Sequence, residues 1–470
     1  MEAIRENKNK KTYNRYVLMA ILLTGSFLAI LNQTLLVTII PHIMDEFNLT
    51  ENTGQWVTTI FMLVNGIMIP ITAFLMETFT TRRLFLFSMS LFIIGTVVCF
   101  LSITFPVLMI GRVIQAAGAG IMMPLMMTIL MLIFPPERRG FAMGMSGLVI
   151  AFAPAIGPSL SGYLVEFLPW RSIFLVIIPI AIIDLIFASV YMTNIIERTF
   201  PKVDYLSIVL SVFGFGGLLF GFSSVGNVGW ANPNVIVSIT IGAITLTLFI
   251  LRQLKLEQPI LEFRVFKNKI FTFTTIIGMV AFTLLIAAET ILPIYMQVMA
   301  GFTALDAGIM ILPGAILMGL LSPINGRIFD AIGARALLIT GLTIVLLTSI
   351  PFARLTEDTT LTYLTITFAI RMVGLSMITM PATTAGLNVL ENRLIPHGTA
   401  MTNTMRQVAA SIGTATLITI MTLSAKAPTG PNDHQALIHG VNVTFYVSMG
   451  LAAFALVLAF FVKDKKQIAQ

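Results

Sequence analysis

The run IFTFTTIIGMVAFTLLIAAETILPIYMQVM, residues 270–299, contains a single charged side chain, Glu289. Wound as a helix it would extend about 45 Å, more than a hydrocarbon core of about 30 Å, so it reads as a membrane-spanning helix. An acid inside such a run is costly unless something pairs or uses it, which makes Glu289 a functional-site candidate by default.

The rest of the chain has the same character. Of 470 residues, 57% are hydrophobic and only 10% charged, against about 25% charged in a soluble chain. Mean hydropathy is +0.94. Apolar runs of spanning length occur fourteen times, near 17–41, 54–76, 84–104, 107–134, 140–165, 171–193, 204–223, 234–252, 270–299, 304–326, 336–355, 361–388, 398–424 and 440–462. The expected fold is an all-α membrane protein with fourteen transmembrane helices.

Charge fixes the expected orientation. With both termini cytoplasmic, the 28 Lys and Arg divide into 22 on the cytoplasmic side, 3 outside (Arg171, Arg354, Lys426) and 3 within helices (Arg112, Arg371, Arg406). The inner set includes Lys10, Lys11, Arg15, Arg82, Arg83, Arg138, Arg139, Lys255, Lys267, Lys269, Lys465 and Lys466. That is the positive-inside asymmetry, and it places the chain as a multi-pass protein of the cell membrane. The net charge of +7 is spread along short loops, so no nucleic-acid partner is expected.

Enzyme chemistry finds no support. The single cysteine, Cys99, allows neither a disulfide framework nor a cysteine metal site. His42, His397, His434 and His439 fall near helix ends or loops, without metal-ligand spacing or a nucleophile triad. No phosphate-loop string is present, and no cofactor or metal is expected. The first apolar run is too long for a secretory signal and reads as a retained anchor.

Two pairs of strings repeat. AFLMETFTTRR at 73–83 and GRIFDAIGAR at 326–335 each place a small residue, an acid four positions later (Glu77, Asp330) and then arginine (Arg82 and Arg83, Arg335), at an offset of 253. GRVIQAAGAGIMMP and AIRMVGLSMITMP carry Arg112 and Arg371, at an offset of 259. Such a duplication is the usual construction of a secondary transporter, with substrate held between the halves. The expected organisation is a tail at 1–16, a six-helix bundle at 17–193, linker helices seven and eight at 194–252, a loop at 253–269, a pseudo-symmetric second bundle at 270–462 and a tail at 463–470. On an offset of 257, Glu289 occupies the repeat position of Asn32.

These strings resemble the major facilitator superfamily, specifically its fourteen-helix drug:proton antiporter branch. The resemblance covers nearly the whole chain. GLVIAFAPAIGPSLSGYL at 147–164 is similar to the family's antiporter signature, with Gly147, Pro154, Gly157, Pro158 and Gly162 in place and Ser161 where a second glycine is usual. Its glycines would permit close packing and its prolines bending as the halves rock; the plainer alternative is a kinked, close-packed helix without a specific role. The turns at Glu77, Arg82 and Arg83 and at Asp330, Gly333 and Arg335 resemble the family's gating motif. The first copy departs from it at Ala73, Glu77 and Thr80, and the plainer alternative is a topology signal alone. Arg112 and Gln115 resemble the helix-four motif associated with proton transfer; the alternative is an arginine bonded to backbone carbonyls. Where relatives commonly carry an aspartate in helix one, this chain has Asn32, which cannot titrate.

The resemblance implies a proton-coupled multidrug efflux antiporter, working as a monomer in the lipid bilayer on small hydrophobic or cationic substrates by alternating access. Glu289 is the expected proton carrier, Asp184 its rival, and Arg112 the group that biases a nearby carboxylate. Candidates for the substrate cavity are Asn32, Gln33, Asn65, Met122, Met126, Phe152, Tyr295, Gln297 and Met405, soft and aromatic side chains suiting apolar cations of varied shape. An exporter of an endogenous amphipathic or anionic metabolite, or an uncoupled facilitator, is the alternative.

Overall fold

A computed structural model describes residues 13–196, 198–200, 203–425 and 434–462. Lys10, Lys11, Lys426, Lys465, Lys466 and most of both expected tails lie outside the described residues. Fourteen helices among those described are long and apolar enough to cross a membrane: α1 Arg15–Phe47, α2 Trp56–Thr78, α3 Thr81–Phe100, α4 Phe105–Ile133, α5 Pro136–Phe167, α6 Ser172–Tyr191, α7 Tyr205–Val225, α8 Pro233–Lys255, α9 Lys269–Met299, α10 Ala304–Ile332, α11 Ala334–Phe352, α12 Leu361–Asn388, α13 Asn392–Ser424 and α14 His434–Ala459. No strand occurs among the described residues.

Local chemistry sets the ends of these helices. Asn14 caps α1 by accepting from the N–H groups of Tyr16 and Val17, and Asn268 caps α9 through Ile270 and Phe271. The Thr303 and Asp306 side chains form a capping box at α10. At the other end of α10, Gly333 adopts φ 92°, a left-handed conformation that a side chain would strain. Proline interrupts helices without ending them. Pro293 in α9 is followed by a π-helical turn over Tyr295–Met299, as expected where the ring removes a backbone hydrogen bond.

The apolar side chains gather into two large cores. One is built mainly from α1–α6, the other from α9–α14. Met380, Leu387, Ile395, Ala400 and Met401, from the adjoining ends of α12 and α13, belong to the first core. These residues lie at the end of the molecule that carries the α2–α3, α4–α5, α10–α11 and α12–α13 turns with their arginines, here called the basic end. The α7–α8 pair is clamped by Asp204, whose carboxylate accepts from Arg252 Nε at 2.8 Å and Nη2 at 3.0 Å. α7 then lies against both halves: Phe220 stacks on Trp56 of α2 at 5.6 Å, and Trp230, just beyond α7, donates to Thr419 Oγ1 of α13 at 2.7 Å.

The Arg252 guanidinium, with help from Ser207, holds the Asp204 carboxyl well below its usual range, at about 2. A depressed carboxyl stabilises the fold above its unfolded value of about 3.9, and that contribution is lost as pH falls through the folded value. Arg252 is partly exposed, so the expected effect of Asp204→Asn is at most about 1 kcal/mol. Thermal unfolding in detergent should show a gap between wild type and variant that is constant from neutral pH to about pH 5 and closes below about pH 4.

Candidate functional site

The centre of the first half is a buried polar cluster around Arg112 on α4. Its Nη1 donates to Asn32 Oδ1 of α1 and to Gln115 Oε1, each at 2.7 Å, and its Nε donates to the Val57 carbonyl of α2 at 3.0 Å. Gln115 passes the network on to Thr96 Oγ1 of α3 at 2.8 Å. The guanidinium also lies 4.2 Å from the centre of the Phe61 ring. Arg112, Asn32, Gln115 and Thr96 expose no surface. All the hydrogen-bond partners of this arginine are neutral, so the cluster joins four helices without containing a carboxylate for Arg112 to bias.

In the second half the repeat is not reproduced contact for contact. Arg371 on α12 donates to Ser349 Oγ of α11 at 2.9 Å and to the Val345 carbonyl at 3.3 Å, rather than to Glu289. Arg406 on α13, also buried, donates to the Thr379 carbonyl at 2.6 Å and Thr383 Oγ1 at 2.5 Å. Glu289 is half-buried on α9 and makes no hydrogen bond or ion pair among the described residues. Asp184 is 5% exposed inside the first half, near Gly25 of α1 and the Phe85 and Met89 side chains of α3, and its Oδ2 has no hydrogen-bond partner. The two intramembrane acids therefore differ in access: one presents surface, the other is enclosed within a single half.

The expected cavity residues separate in the same way. Met122 and Met126 are 1% and 0% exposed in the first core, and Tyr295 is 0% exposed in the second. The Tyr295 hydroxyl donates to the Thr356 carbonyl at 2.6 Å, directing it to the α11–α12 connection. These three pack inside the halves in this conformation. Asn32 is likewise enclosed, its carbonyl occupied by Arg112. Gln33, Asn65, Phe152 and Met405 are half-buried, and Gln297 is exposed. The Phe152 ring lies where a side chain on Gly319 of α10 would sit, at the seam between the halves.

Two of the expected gating residues, Asp330 and Glu77, meet the other half across that seam at the basic end. Asp330, at the end of α10, accepts from the N–H groups of Gly140 and Phe141 at 2.7 and 2.9 Å. Those groups belong to the first turn of α5, where backbone donors have no intrahelical partner. Glu77, at the end of α2, is 3.0 Å from His397 Nε2 in the first turn of α13, and Arg139 donates to Asn388 Oδ1 of α12 at 3.0 Å. His397 and Asn388 escaped the sequence reading as partners of Glu77 and Arg139 because neither belongs to the repeated strings. The cue was position alone: His397 stands just past the α12–α13 turn, near the start of the regular α-helix at Ile395. Arg82 donates to the Ser189 carbonyl of α6, and Arg83 is exposed.

The antiporter-like helix α5 runs unbroken through Pro154 and Pro158. A Cβ on Gly147 would lie 2.7 Å from Met380 Cγ and 3.0 Å from Ser322 Cβ, both in the other half. Gly140 and Gly326 bring the α5 and α10 backbones so close that a side chain on either would collide with the other's carbonyl oxygen. Gly157 instead packs on Thr34 of α1, within the first half. At Gly162 a side chain would meet open space, with no neighbour within 4 Å, so its expected role in close packing is not realised here.

Comparison with known proteins agrees with this architecture. The family described as Major Facilitator Superfamily matches residues 22–414. The transporter YcnB of Bacillus subtilis, named as uncharacterized and MFS-type, is 54% identical over 98% of this chain and 98% of its own length. The lincomycin resistance protein LmrB of Listeria monocytogenes is 41% identical, covering 96% of this chain and 97% of its own. The solved structure of the human organic anion transporter MFSD10 (TETRAN) superposes with a TM-score of 0.66 at 14% identity, over 95% of this chain and 100% of that one, a likeness of fold. The fourteen spanning helices and these relatives together show that this chain is a multi-pass transporter rather than an enzyme, and that it belongs to the major facilitator superfamily.

Proposed function

We propose that the protein exports small hydrophobic, often cationic molecules in exchange for protons, by alternating access between its two six-helix halves. It does so as a monomer in the cell membrane with both termini cytoplasmic. The observation that carries this reading is the clamp at the basic end, where Asp330 bridges the halves through the α5 N-terminus. Contacts of this kind are strong enough to hold one end shut and few enough to be exchanged when the halves rock. The name of the lincomycin-resistance relative supports a drug-like substrate.

Glu289 is the group best suited to exchange a proton, because it presents surface and no protein donor holds its charge. Asp184 lacks that access. One proton moving inward through about 100 mV supplies about 2.3 kcal/mol to the export of a neutral substrate, whereas one-for-one exchange with a monovalent cation is electroneutral and draws on the pH gradient alone. A second reading, export of an endogenous anionic metabolite, draws on Arg112, Arg371 and Arg406, three enclosed guanidiniums whose hydrogen bonds go to neutral groups.

In proteoliposomes, an ethidium-like cation or a lincosamide should move against its gradient when protons are supplied on the outward side, and in the opposite sense when the gradient is reversed. Glu289→Gln should abolish this dependence while leaving downhill movement, and Asp184→Asn should retain it; full gradient-driven export by Glu289→Gln would remove Glu289 from the coupling. Transport of an organic anion, with none of any cation, would favour the second reading.

The seam makes its own demand. Gly326→Val should obstruct the approach of α5 to α10 and lower transport at least about tenfold, the equivalent of about 1.4 kcal/mol. Transport at the wild-type rate by a properly inserted variant would show that the seam need not close.

A further inference from the structure

The basic end has a second feature that substrate export leaves unused. Between the α2–α3 turn and the segment after α6 lies a half-open space of about 520 Å³, lined by Thr80, Arg82, Arg83, Leu86, Asn194 and Arg198. Its walls are tied together. The N–H groups of Ile195 and Ile196 both donate to Thr81 Oγ1 at 3.2 Å, the Thr199 N–H donates to the Glu77 carbonyl at 3.1 Å, and Arg82 reaches the Ser189 carbonyl.

Arg82, Arg83 and Arg198 all line it, and no acid is among the described lining residues. The Arg83 and Arg198 guanidiniums enter no ion pair or hydrogen bond among the described residues; Arg198 lies 4.8 Å from the Phe200 ring. Like charges gathered in one pocket call for an anion, and the planar donor fork of arginine matches phosphate.

The depth of the pocket narrows the choice of anion. It stands where α2, α3 and α6 end, at Thr78, Thr81 and Tyr191, which is headgroup level for helices that span the bilayer. Phe79, Phe187 and Tyr191 are exposed around it, as aromatic side chains are at a membrane interface. Beyond Leu86, the exposed Phe87 of α3 and Ile186 and Val190 of α6 carry apolar surface into the span, where acyl chains would lie.

We propose that this pocket binds the phosphate of an anionic phospholipid through Arg82, Arg83 and Arg198. The bound lipid steadies the α2–α3 turn, and with it Glu77, which meets His397 across the seam. Basic pockets on the cytoplasmic side of membrane helices are suited to such headgroups.

The full-length protein in nanodiscs of phosphatidylcholine containing increasing phosphatidylglycerol, followed by native mass spectrometry, tests this. Wild type should retain phosphatidylglycerol over phosphatidylcholine. The combined Arg82→Gln, Arg83→Gln and Arg198→Gln variant should lose that preference at least tenfold, whereas Lys255→Gln, Lys267→Gln and Lys269→Gln together, the same loss of charge at the same end, should keep it. Should the triple variant not fold, Arg83→Gln alone, whose guanidinium supports nothing else, should give a partial loss. Equal loss in both triple variants would show diffuse charge attraction and overturn the site. Displacement of the lipid by inorganic phosphate, with phosphate retained in its place, would show a free-phosphate site and overturn the lipid.

Discussion

A carboxylate at the edge of a membrane, half withdrawn from water, has to find donors in the protein, and Asp330 finds them on the opposite half. The N–H groups of Gly140 and Phe141 stand at the start of α5, free of intrahelical partners and at the positive end of the helix dipole. The contact requires the α5 and α10 backbones to touch, which is why glycine occupies both Gly140 and Gly326. It also brings the ends of α12 and α13 into the apolar core of the first half. Closure of the basic end is thus one cooperative event, in which a charge, a backbone approach and an apolar seal depend on one another.

The interior follows a different rule. Arg112, Arg371 and Arg406 are enclosed and bonded to carbonyls, hydroxyls and amides, while Arg112 Nη2, Arg371 Nε and Arg406 Nε have no partner among the described residues. Asn32 in α1 gives Arg112 an acceptor without a titrating group, so this cluster joins helices and has no carboxylate to lose or take a proton. The acid at the corresponding repeat position, Glu289, is half-buried and has no hydrogen-bond partner among the described residues.

Much of this was legible in the sequence. Helix number followed from apolar run length, because a bilayer imposes a length that a soluble core does not. The acids at the basic end were legible because Glu77 and Asp330 repeat with their surroundings. Their partners were not: Asp330 is met by backbone N–H groups, which no residue type announces, and Glu77 by a histidine that belongs to no repeat. Shared register does not carry side-chain contacts with it. Arg371 matches Arg112 in register, yet it bonds to α11 rather than to Glu289, since a shared backbone position does not fix a rotamer. Met122, Met126 and Tyr295 have cavity-like chemistry but point into the cores, because soft and aromatic side chains suit a packed interior equally well.

The central claim is that Asp330 holds the basic end closed. Spin labels at Glu137→Cys and Arg393→Cys, exposed in the α4–α5 and α12–α13 turns, report the separation of the halves there by pulsed electron resonance. The account predicts a short distance for the parent protein, and for Asp330→Ala a growth of the long-distance population by about tenfold, as expected when charge-assisted hydrogen bonds worth about 1.4 kcal/mol or more are removed. An unchanged distance distribution in Asp330→Ala would contradict it.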